Sequence, residues 1–390
     1  MFDAIYELNY HISMKKIIYR KIAKDCMSFF LLTIFTISII IWVIQAVNYL
    51  DFVTEDGHGF FVYFNYTLFS FPKILGRSFP LAVFIAFAYI LLEYENKNEL
   101  LIFWNFGIGK ITFIKFFLKF SLVFVLLNLI LNILVTPLTQ NKARDFIRSS
   151  DLNFFESMLK PKKFIDIIQD LTIYFDEENK IGELKNIFIN DKINKDSSKI
   201  TYAKTGTLSV LNNKKILTLY NGVTINNNKG KISEFKFSKT NFNISKFETK
   251  TMTNQKTQEN SSFQLIKCLS ILNKIEKNTR MKIGGIPNCT FNNLKNIYKE
   301  LYSRLIKPLY ITFLIMISLL LILKSNNDHT FKIYKLKIYS LGFLSIIFLE
   351  ISSKYIGLNI IQNLFMSFLP FISVLFFYFY FLKELKTRKI

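Results

Sequence analysis

Residues 199–226 read KITYAKTGTLSVLNNKKILTLYNGVTIN, a stretch in which apolar side chains alternate with polar ones between Asn- and Lys-rich turns. Alternation with a period of two, interrupted by turn residues at intervals of about ten residues, is typical of short antiparallel β-strands. The pattern predicts eight strands, at residues 171–175, 186–190, 199–203, 207–211, 215–220, 223–226, 234–237 and 242–247. Such strands indicate an all-β sandwich or jelly roll.

The predicted strands lie inside a polar block, residues 140–299, that contains no apolar run of membrane length. Helical patterns occupy its first part, residues 141–158, and a later part, residues 263–274. Residues 249–262 are rich in Thr, Asn and Gln and form the predicted loop between the strands and the second of these helices.

Three apolar runs precede the polar block and three follow it, at residues 26–46, 60–92, 111–135, 305–323, 338–351 and 359–382. A helix crosses the hydrocarbon core of a bilayer with about 20 residues, and most of these runs have that length. The sequence therefore predicts an α-helical membrane protein with six transmembrane helices and a jelly-roll-like β domain inserted between the third and fourth. Residues 1–139 and 300–390 form the two membrane halves.

The charges between the apolar runs predict the orientation in the membrane. Five cations at residues 15–24 precede the first run, and residues 324–337 and the C-terminal tail are also basic. The segment between the first two runs has three acids at residues 51–56 and no Lys or Arg. Because cytoplasmic loops are enriched in Lys and Arg, both termini are predicted to be cytoplasmic and the polar block to lie outside. Only Lys354 departs from this pattern.

The composition argues against several classes of function. A formal net charge of +22 favours an anionic partner. The lysines are spread over every polar segment, however, which favours a membrane surface or an anionic lipid over nucleic acid. Neither a metal-ligand cluster nor a nucleophile motif is present, so we expect no metal, no cofactor and no catalytic site. Cys268 and Cys289 would pair only in an oxidising compartment, and we interpret them as two buried thiols.

The second apolar run contains Pro72 and Pro80, with Lys73 and Arg77 between them on one helix face. Charges at such a position either face an interior cavity or belong to a helix end that extends beyond the bilayer into water. Both interpretations remain open on the sequence alone.

Residues 93–110 read EYENKNELLIFWNFGIGK, with an acidic start, an apolar middle and a glycine stop. The pattern predicts a short amphipathic helix at about residues 93–107, lying at the inner membrane surface. GIGK is not a nucleotide-binding loop, because Trp104 and Ile111 stand where the Walker pattern needs Gly and Ser or Thr.

Six motifs together give the chain a family resemblance. They are WVIQAVNYLDFV (42–53), FPKILGRSFPLAVFIAF (71–87), NELLIFWNFG (98–107), ITYAKTGTL (200–208), ILTLYNGV (216–223) and ELYSRLIKPL (300–309). With the arrangement of three spans, a β domain and three spans, the chain resembles the LptF/LptG (YjgP/YjgQ) family of lipopolysaccharide export permeases over nearly its whole length. The first motif is more similar to LptF than to LptG.

The resemblance implies a subunit of an ABC-type exporter in the bacterial inner membrane, with the β domain in the periplasm. It implies a heterodimer with a second LptF/LptG-type permease, a cytoplasmic LptB ATPase dimer that supplies ATP hydrolysis, and the partners LptC and LptA. The cargo would be lipopolysaccharide, taken from the outer leaflet and passed through the β domain toward the outer membrane.

The resemblance also implies roles for particular residues. Glu99 matches the glutamate that engages the ATPase and Gly107 the glycine that ends its helix. With Glu93, Glu95 and Leu100 they form the candidate ATPase-coupling site.

The first span departs from the LptF pattern, because Asn48 stands where those chains often have a basic residue. The candidate contacts to lipid phosphate are therefore Lys73, Arg77, Arg304 and Lys307. An alternative from another class is a membrane-anchored periplasmic ligand-binding sensor or assembly scaffold without transport. An ATPase that co-purifies with the chain would favour the exporter.

Overall fold

The computed structural model describes residues 2–50, 60–158, 161–168, 171–179, 183–194, 197–211, 214–228, 231–243, 256–274 and 286–387. The acidic segment at residues 51–56 and the strand residues 244–247, both discussed above, lie outside these ranges. The chain forms two compact units. The helical unit contains Met1–Val47, Thr67–Ala143 and Gln255–Ile390, and the β unit contains Asn48–Tyr66 and Arg144–Asn254.

Ten α-helices are formed by the described residues. They are α1 Phe2–Asn48, α2 Phe60–Asn96, α3 Glu99–Asn105, α4 Lys110–Ile130, α5 Thr136–Met158, α6 Ser262–Lys274, α7 Leu294–Leu305, α8 Tyr310–Leu319, α9 Phe331–Tyr355 and α10 Ile360–Thr387. A π-helical turn, Leu131–Val135, joins α4 to α5 without a break, so the polar helix predicted at residues 141–158 continues the third span.

Six helical segments are long and apolar enough to cross a membrane. They are Lys16–Asn48, Phe60–Asn96, Lys110–Ile147, Phe291–Leu323, Phe331–Tyr355 and Ile360–Lys386. These segments confirm the six predicted membrane helices. The fifth, predicted from the shortest apolar run, is a helix of 25 residues because its polar ends continue the same helix.

The second and fourth spans form the interior of the helical unit. In their most apolar stretches 72% and 67% of the residues are buried, against 11% to 28% in the other four spans. The core is rich in phenylalanine, and the rings of Phe84, Phe87 and Phe117 are fully buried. Gly342 allows α9 to approach α2, because a β-carbon at this position would overlap the ring of Phe84.

The β unit contains one antiparallel sheet, which follows the third span and precedes the fourth in sequence. Its strands are β1 Ile165–Ile168, β2 Leu171–Tyr174, β3 Glu177–Glu178, β4 Glu183–Asn194, β5 Ser197–Leu211, β6 Lys214–Asn228 and β7 Lys231–Asn243. Their order is β1-β2-β4-β5-β6-β7, with β3 also paired to β4. The predicted β domain is thus confirmed, but β5 and β6 each contain two predicted short strands, and β7 contains one and the first two residues of another.

A crease crosses this sheet at the predicted strand breaks. Asn186, Lys204 and Asn221 are skipped in the ladders, which pair Lys185 with Thr205 and Ala203 with Gly222. Asn186 and Asn221 have positive φ angles of 52° and 51°. The inward-facing positions slip by one residue there, so that buried positions 184 and 187, or 203 and 206, are three apart instead of two. The alternation that predicts a strand is interrupted although the strand continues.

Candidate functional site

A cavity of about 870 Å³ lies in the helical unit, at the end where α7 begins the fourth span. We call it the basic cavity. Its cations are Arg77, Lys256, Lys299 and Lys307, its acids Glu300 and Glu350, and its neutral polar and apolar walls include Gln45, Asn128, Asn132, Asn288, Asn296, Ile41, Ile74, Leu81, Ile346 and Leu349. A site with cations beside an apolar wall suits a ligand that has both anionic and apolar parts.

The two cations of the second span have different environments. Arg77 is exposed on the wall of the basic cavity and has no hydrogen-bond or ion-pair partner among the described residues. The Lys73 ammonium donates to Gln258 Oε1 at 2.8 Å and to Gln140 Oε1 at 3.4 Å. Of this pair, therefore, Arg77 is the cation available to an anionic ligand.

Arg304 is turned into the protein. Its side chain is 3% exposed and pairs with Glu300 at 2.9 Å. Nη1 donates to Asn260 O and Ser262 Oγ, and Nη2 donates to Gln258 O. The guanidinium is occupied by these partners, so in this structure Arg304 fixes the wall of the basic cavity and does not line it.

Lys307 forms an ion pair with Glu350 at 2.9 Å. The cation that reaches the Glu350 carboxylate therefore comes from the fourth span. Sequence reasoning missed Lys256 and Lys299. Lys299 lies eight residues before Lys307 on the same helical face, which is a usable signal. Lys256 lies in a loop whose sequence has no periodicity, so no comparable signal identifies it.

Cys268 and Cys289 form a disulfide, with 5.8 Å between their α-carbons. The interpretation of two separate thiols was wrong. Both residues are buried in one apolar cluster with Leu265 and Ile297, a proximity that a sequence separation of 21 does not reveal. Asn260 adds a hydrogen bond to Pro287 O at 2.8 Å, so the segments on either side of residues 275–285 are held together.

A second group of candidate residues lies at the opposite end of α2. Asn98 has a φ of 58°, which separates α3 from α2, and Gly107 has a φ of 73° after the end of α3. The predicted helix at residues 93–107 is thus divided, with residues 93–96 belonging to α2. Leu100 is buried, whereas Leu101, Ile102 and Phe106 are 51%, 47% and 40% exposed. The sequence analysis did not predict this exposed apolar face, which consists of Leu101, Ile102 and Phe106.

The glutamates at this end bind other parts of the chain. Glu99 Oε2 pairs with the Lys21 ammonium at 2.7 Å, and that ammonium also lies 5.6 Å from the centre of the Tyr94 ring. Glu95 Oε1 accepts a hydrogen bond from the backbone N–H of Asn326 at 2.8 Å. Glu93 pairs with Lys97 at 2.6 Å on the surface. We call Lys21, Tyr94 and Glu99, with Asp25 bonded to the Tyr94 hydroxyl, the Glu99 cluster.

The β unit has its own cavity of about 600 Å³ at the crease of the sheet. It is lined by four aromatic rings, Phe164, Tyr174, Phe188 and Tyr202, whose neighbouring centroids are 4.7–6.2 Å apart. Beside them, hydrogen bonds from Asn186 and Tyr174 lower the pKa of Asp176, because they stabilise its carboxylate form. In the ranges that the structure describes, no group of three or more His, Cys, Asp or Glu residues is arranged to hold a metal.

Comparison with known proteins agrees with this arrangement. The family model described as lipopolysaccharide export system permease LptF/LptG matches residues 20–384, from the first span through the sixth. The chain is also 22% identical over 246 residues to an uncharacterized protein of Rickettsia prowazekii (strain Madrid E), covering 63% of this chain and 68% of the relative. The family model does not distinguish LptF from LptG.

Proposed function

The chain belongs to the LptF/LptG family of lipopolysaccharide export permeases, and from that membership we propose that it is one of two permease subunits of an ATP-driven exporter. It is a multi-pass protein of the inner membrane and a transport subunit. In this proposal a second LptF/LptG-type permease completes the membrane unit and a cytoplasmic LptB dimer hydrolyses ATP. LptC and LptA receive the lipid. The observation that carries the proposal is the match over residues 20–384.

The basic cavity is the proposed binding site for the lipid headgroup. Lipopolysaccharide has a phosphorylated sugar headgroup that carries several acyl chains, so its binding site needs cations beside an apolar wall. Arg77, Lys256 and Lys299 are exposed on the cavity wall and meet the first need. Ile41, Leu81 and the other apolar lining residues meet the second. Arg304 supports this wall from inside the protein. Lys307 adds a further cation to the wall while it remains paired with Glu350.

The proposed contact with the ATPase is α3. Its outward apolar residues Leu101 and Ile102 supply a hydrophobic docking surface, and Glu99 supplies a carboxylate at the edge of that surface. Leu100 supports the surface from inside. Binding of ATP would push on α3 and close the basic cavity, which would expel the lipid.

The β unit is the proposed binding site for the lipid after it leaves the basic cavity. Its aromatic cavity offers apolar surface to acyl chains, and the crease residues around the cavity offer polar groups to sugars. The Cys268–Cys289 disulfide supports an oxidising, periplasmic location for the segment that follows the sheet. With this segment outside, both termini would be cytoplasmic.

A reconstituted exporter tests the proposal. Vesicles containing this chain, a second permease, the ATPase and lipopolysaccharide should release lipid on addition of ATP. Replacing both Arg77 and Lys299 by Glu should lower photocrosslinking to lipopolysaccharide about tenfold or more, which corresponds to about 1.4 kcal/mol of binding. Lys354→Glu is the control, because Lys354 is an exposed cation outside the basic cavity.

The same preparation separates the exporter from a sensor or scaffold. Failure of any ATPase to co-purify, together with unchanged crosslinking in the Arg77 and Lys299 double variant, would favour a ligand-binding protein without transport. Retained crosslinking with normal ATP-driven release would instead move the lipid site away from the basic cavity but leave the exporter in place.

A further inference from the structure

Helix α6 has two different faces. Leu265, Cys268 and Leu272 are buried against α7, and the disulfide fixes this side in place. On the other side Phe263 is 77% exposed and Ile266 is 50% exposed. Lys267 and Ser270 are also exposed, and the spacing of positions 263, 266, 267 and 270 places them on one side of the helix. Phe263 and Ile266 together form an exposed apolar patch on a helix that the disulfide holds in place.

The first residue of α6 is bonded to a membrane-spanning helix. Ser262 Oγ donates to the carbonyl oxygen of Ile133 at 3.3 Å. Ile133 lies in the π-helical turn of the span Lys110–Ile147, close to the point where the apolar run gives way to Gln140 and Lys142. Helix α6 therefore begins at the level of the apolar-to-polar boundary of the third span.

The third span carries an apolar stripe at this level. Ile130, Leu134 and Leu138 are 51%, 56% and 64% exposed, and their four-residue spacing places them on one side of the helix. In a membrane-spanning segment such a stripe faces lipid or another membrane helix. Phe263 follows Ser262 directly, so it lies at the level of the same boundary.

We infer that α6 is a membrane-interface helix, with Phe263 and Ile266 embedded where the lipid headgroups meet the acyl chains. Lys267 lies one turn beyond Phe263, where its ammonium reaches the lipid phosphates while its stem covers apolar surface. Lipid is the occupant because the face combines large apolar side chains with an adjacent cation, at the depth set by the Ser262–Ile133 hydrogen bond.

This anchor sets the depth of the basic cavity. The turn Thr257–Glu259 lies immediately before α6, and Arg304 bonds Gln258 O and Asn260 O to α7. The wall that contains Lys256 and Lys299 is thereby held at the headgroup level. The inference does not depend on the identity of the cargo, so it stands or falls separately from the proposed function.

Tryptophan fluorescence of Phe263→Trp in the full chain tests the inference. Nanodiscs are prepared from phosphatidylcholine with bromine either near the headgroup end or near the tail end of its acyl chains. The introduced tryptophan should emit at shorter wavelength than tryptophan in water, and lipid brominated near the headgroup should remove most of its emission. Phe235→Trp is the control, because Phe235 is 58% exposed in the β unit and should not be quenched.

Native Trp42 and Trp104 contribute equally to both variants, so each signal is taken as the difference from the parent protein. A water-like, unquenched Phe263→Trp would overturn the inference. So would quenching that is lost when a second permease subunit is bound, since protein would then cover this face. An intact disulfide, checked by thiol labelling, confirms folding, and Ile266→Trp replaces Phe263→Trp if that variant does not fold.

Discussion

The Arg304 guanidinium binds two separate pieces of the chain. It pairs with Glu300 on α7, and it donates to Gln258 O, Asn260 O and Ser262 Oγ in the segment before and at the start of α6. A buried guanidinium is stable only when its donors are matched in this way. The fork geometry that satisfies four acceptors at once is specific to arginine, because an ammonium is a point charge.

Arg304→Lys distinguishes this structural role from a lipid-binding role. The charge is kept but the fork is lost, so buried acceptors are left unsatisfied, at a cost of about 2–3 kcal/mol for hydrogen bonds to a charged group. We expect a lower unfolding temperature in detergent and little change in lipid crosslinking per folded molecule. Arg77→Lys, on the open cavity wall, should leave the unfolding temperature unchanged. A stable Arg304→Lys that loses crosslinking would show that Arg304 contacts lipid.

The sequence predicts which residues are cations but not which way they face. Lys73 and Arg77 lie within the second apolar run, and Arg304 and Lys307 lie at the start of the fourth. Of these four, only Arg77 is exposed on the cavity wall without a partner among the described residues. Lys73, Arg304 and Lys307 each have a partner in a segment far away in sequence. Gln258 bonds to both Lys73 and Arg304. No periodicity in the chain encodes such contacts.

At the scale of elements, the sequence predicts short strands where the structure has long ones, and the reason is physical. A strand is recognised by side chains that alternate between two faces, and at the crease the buried face moves by one residue. The left-handed backbone of Asn186 and Asn221 makes this shift without ending the strand. The division of α3 from α2 at Asn98 was missed because neither proline nor glycine marks this break in the sequence.

Gly222 lies beside the crease and tests how closely the strands approach there. A β-carbon at this position would lie 2.2 Å from Tyr202 O and 2.4 Å from the Phe237 ring. Gly222→Ala should therefore destabilise the sheet, by about 3 kcal/mol if the cost is at the upper end for overpacking. Hydrogen exchange of β5 and β6 amides in the full chain measures the effect, which should appear as faster exchange.

Two further glycines provide the comparison. A β-carbon on Gly206 would meet the flexible end of Ile187 at 2.5 Å and Thr218 O at 3.1 Å, so Gly206→Ala should cost less than Gly222→Ala. Gly357 has nothing within 4 Å, and Gly357→Ala should have no effect. Equal exchange rates in the three variants would contradict the close packing at the crease.

At the scale of the whole molecule, α1 and α2 connect the basic cavity to the Glu99 cluster. Helix α1 lines the cavity with Gln45 and reaches the cluster at Lys21, a distance of about 36 Å along the helix axis. Helix α2 lines it with Arg77 and ends beside the cluster at Tyr94. Between these ends, Ser38 and Ser78 share a hydrogen bond of 2.7 Å, which ties the two helices together.

Buried Leu100 and Phe103 pack α3 into the helical core, with Phe103 against Tyr94 of α2, and the ion pair Lys21–Glu99 is its polar contact with α1. Lys21 holds one oxygen of the Glu99 carboxylate, and the structure places no partner from the described residues on the other. One carboxylate is thus able to bind the first span and an ATPase cation together. A push on α3 would then reach the cavity through α1 as well as through α2, whereas without Lys21 the polar connection to α1 would be lost.

Lys21→Gln in the reconstituted exporter tests this connection. Glu99 keeps its free oxygen, so the ATPase should still co-purify and still hydrolyse ATP, but lipid release per ATP should fall severalfold because α1 no longer follows α3. Lys21→Arg keeps the charge and should keep release. Lys24→Gln removes an exposed cation one turn away and should change nothing. Normal release in Lys21→Gln would show that α2 alone carries the movement, and loss of ATPase binding would place Lys21 in the docking surface instead.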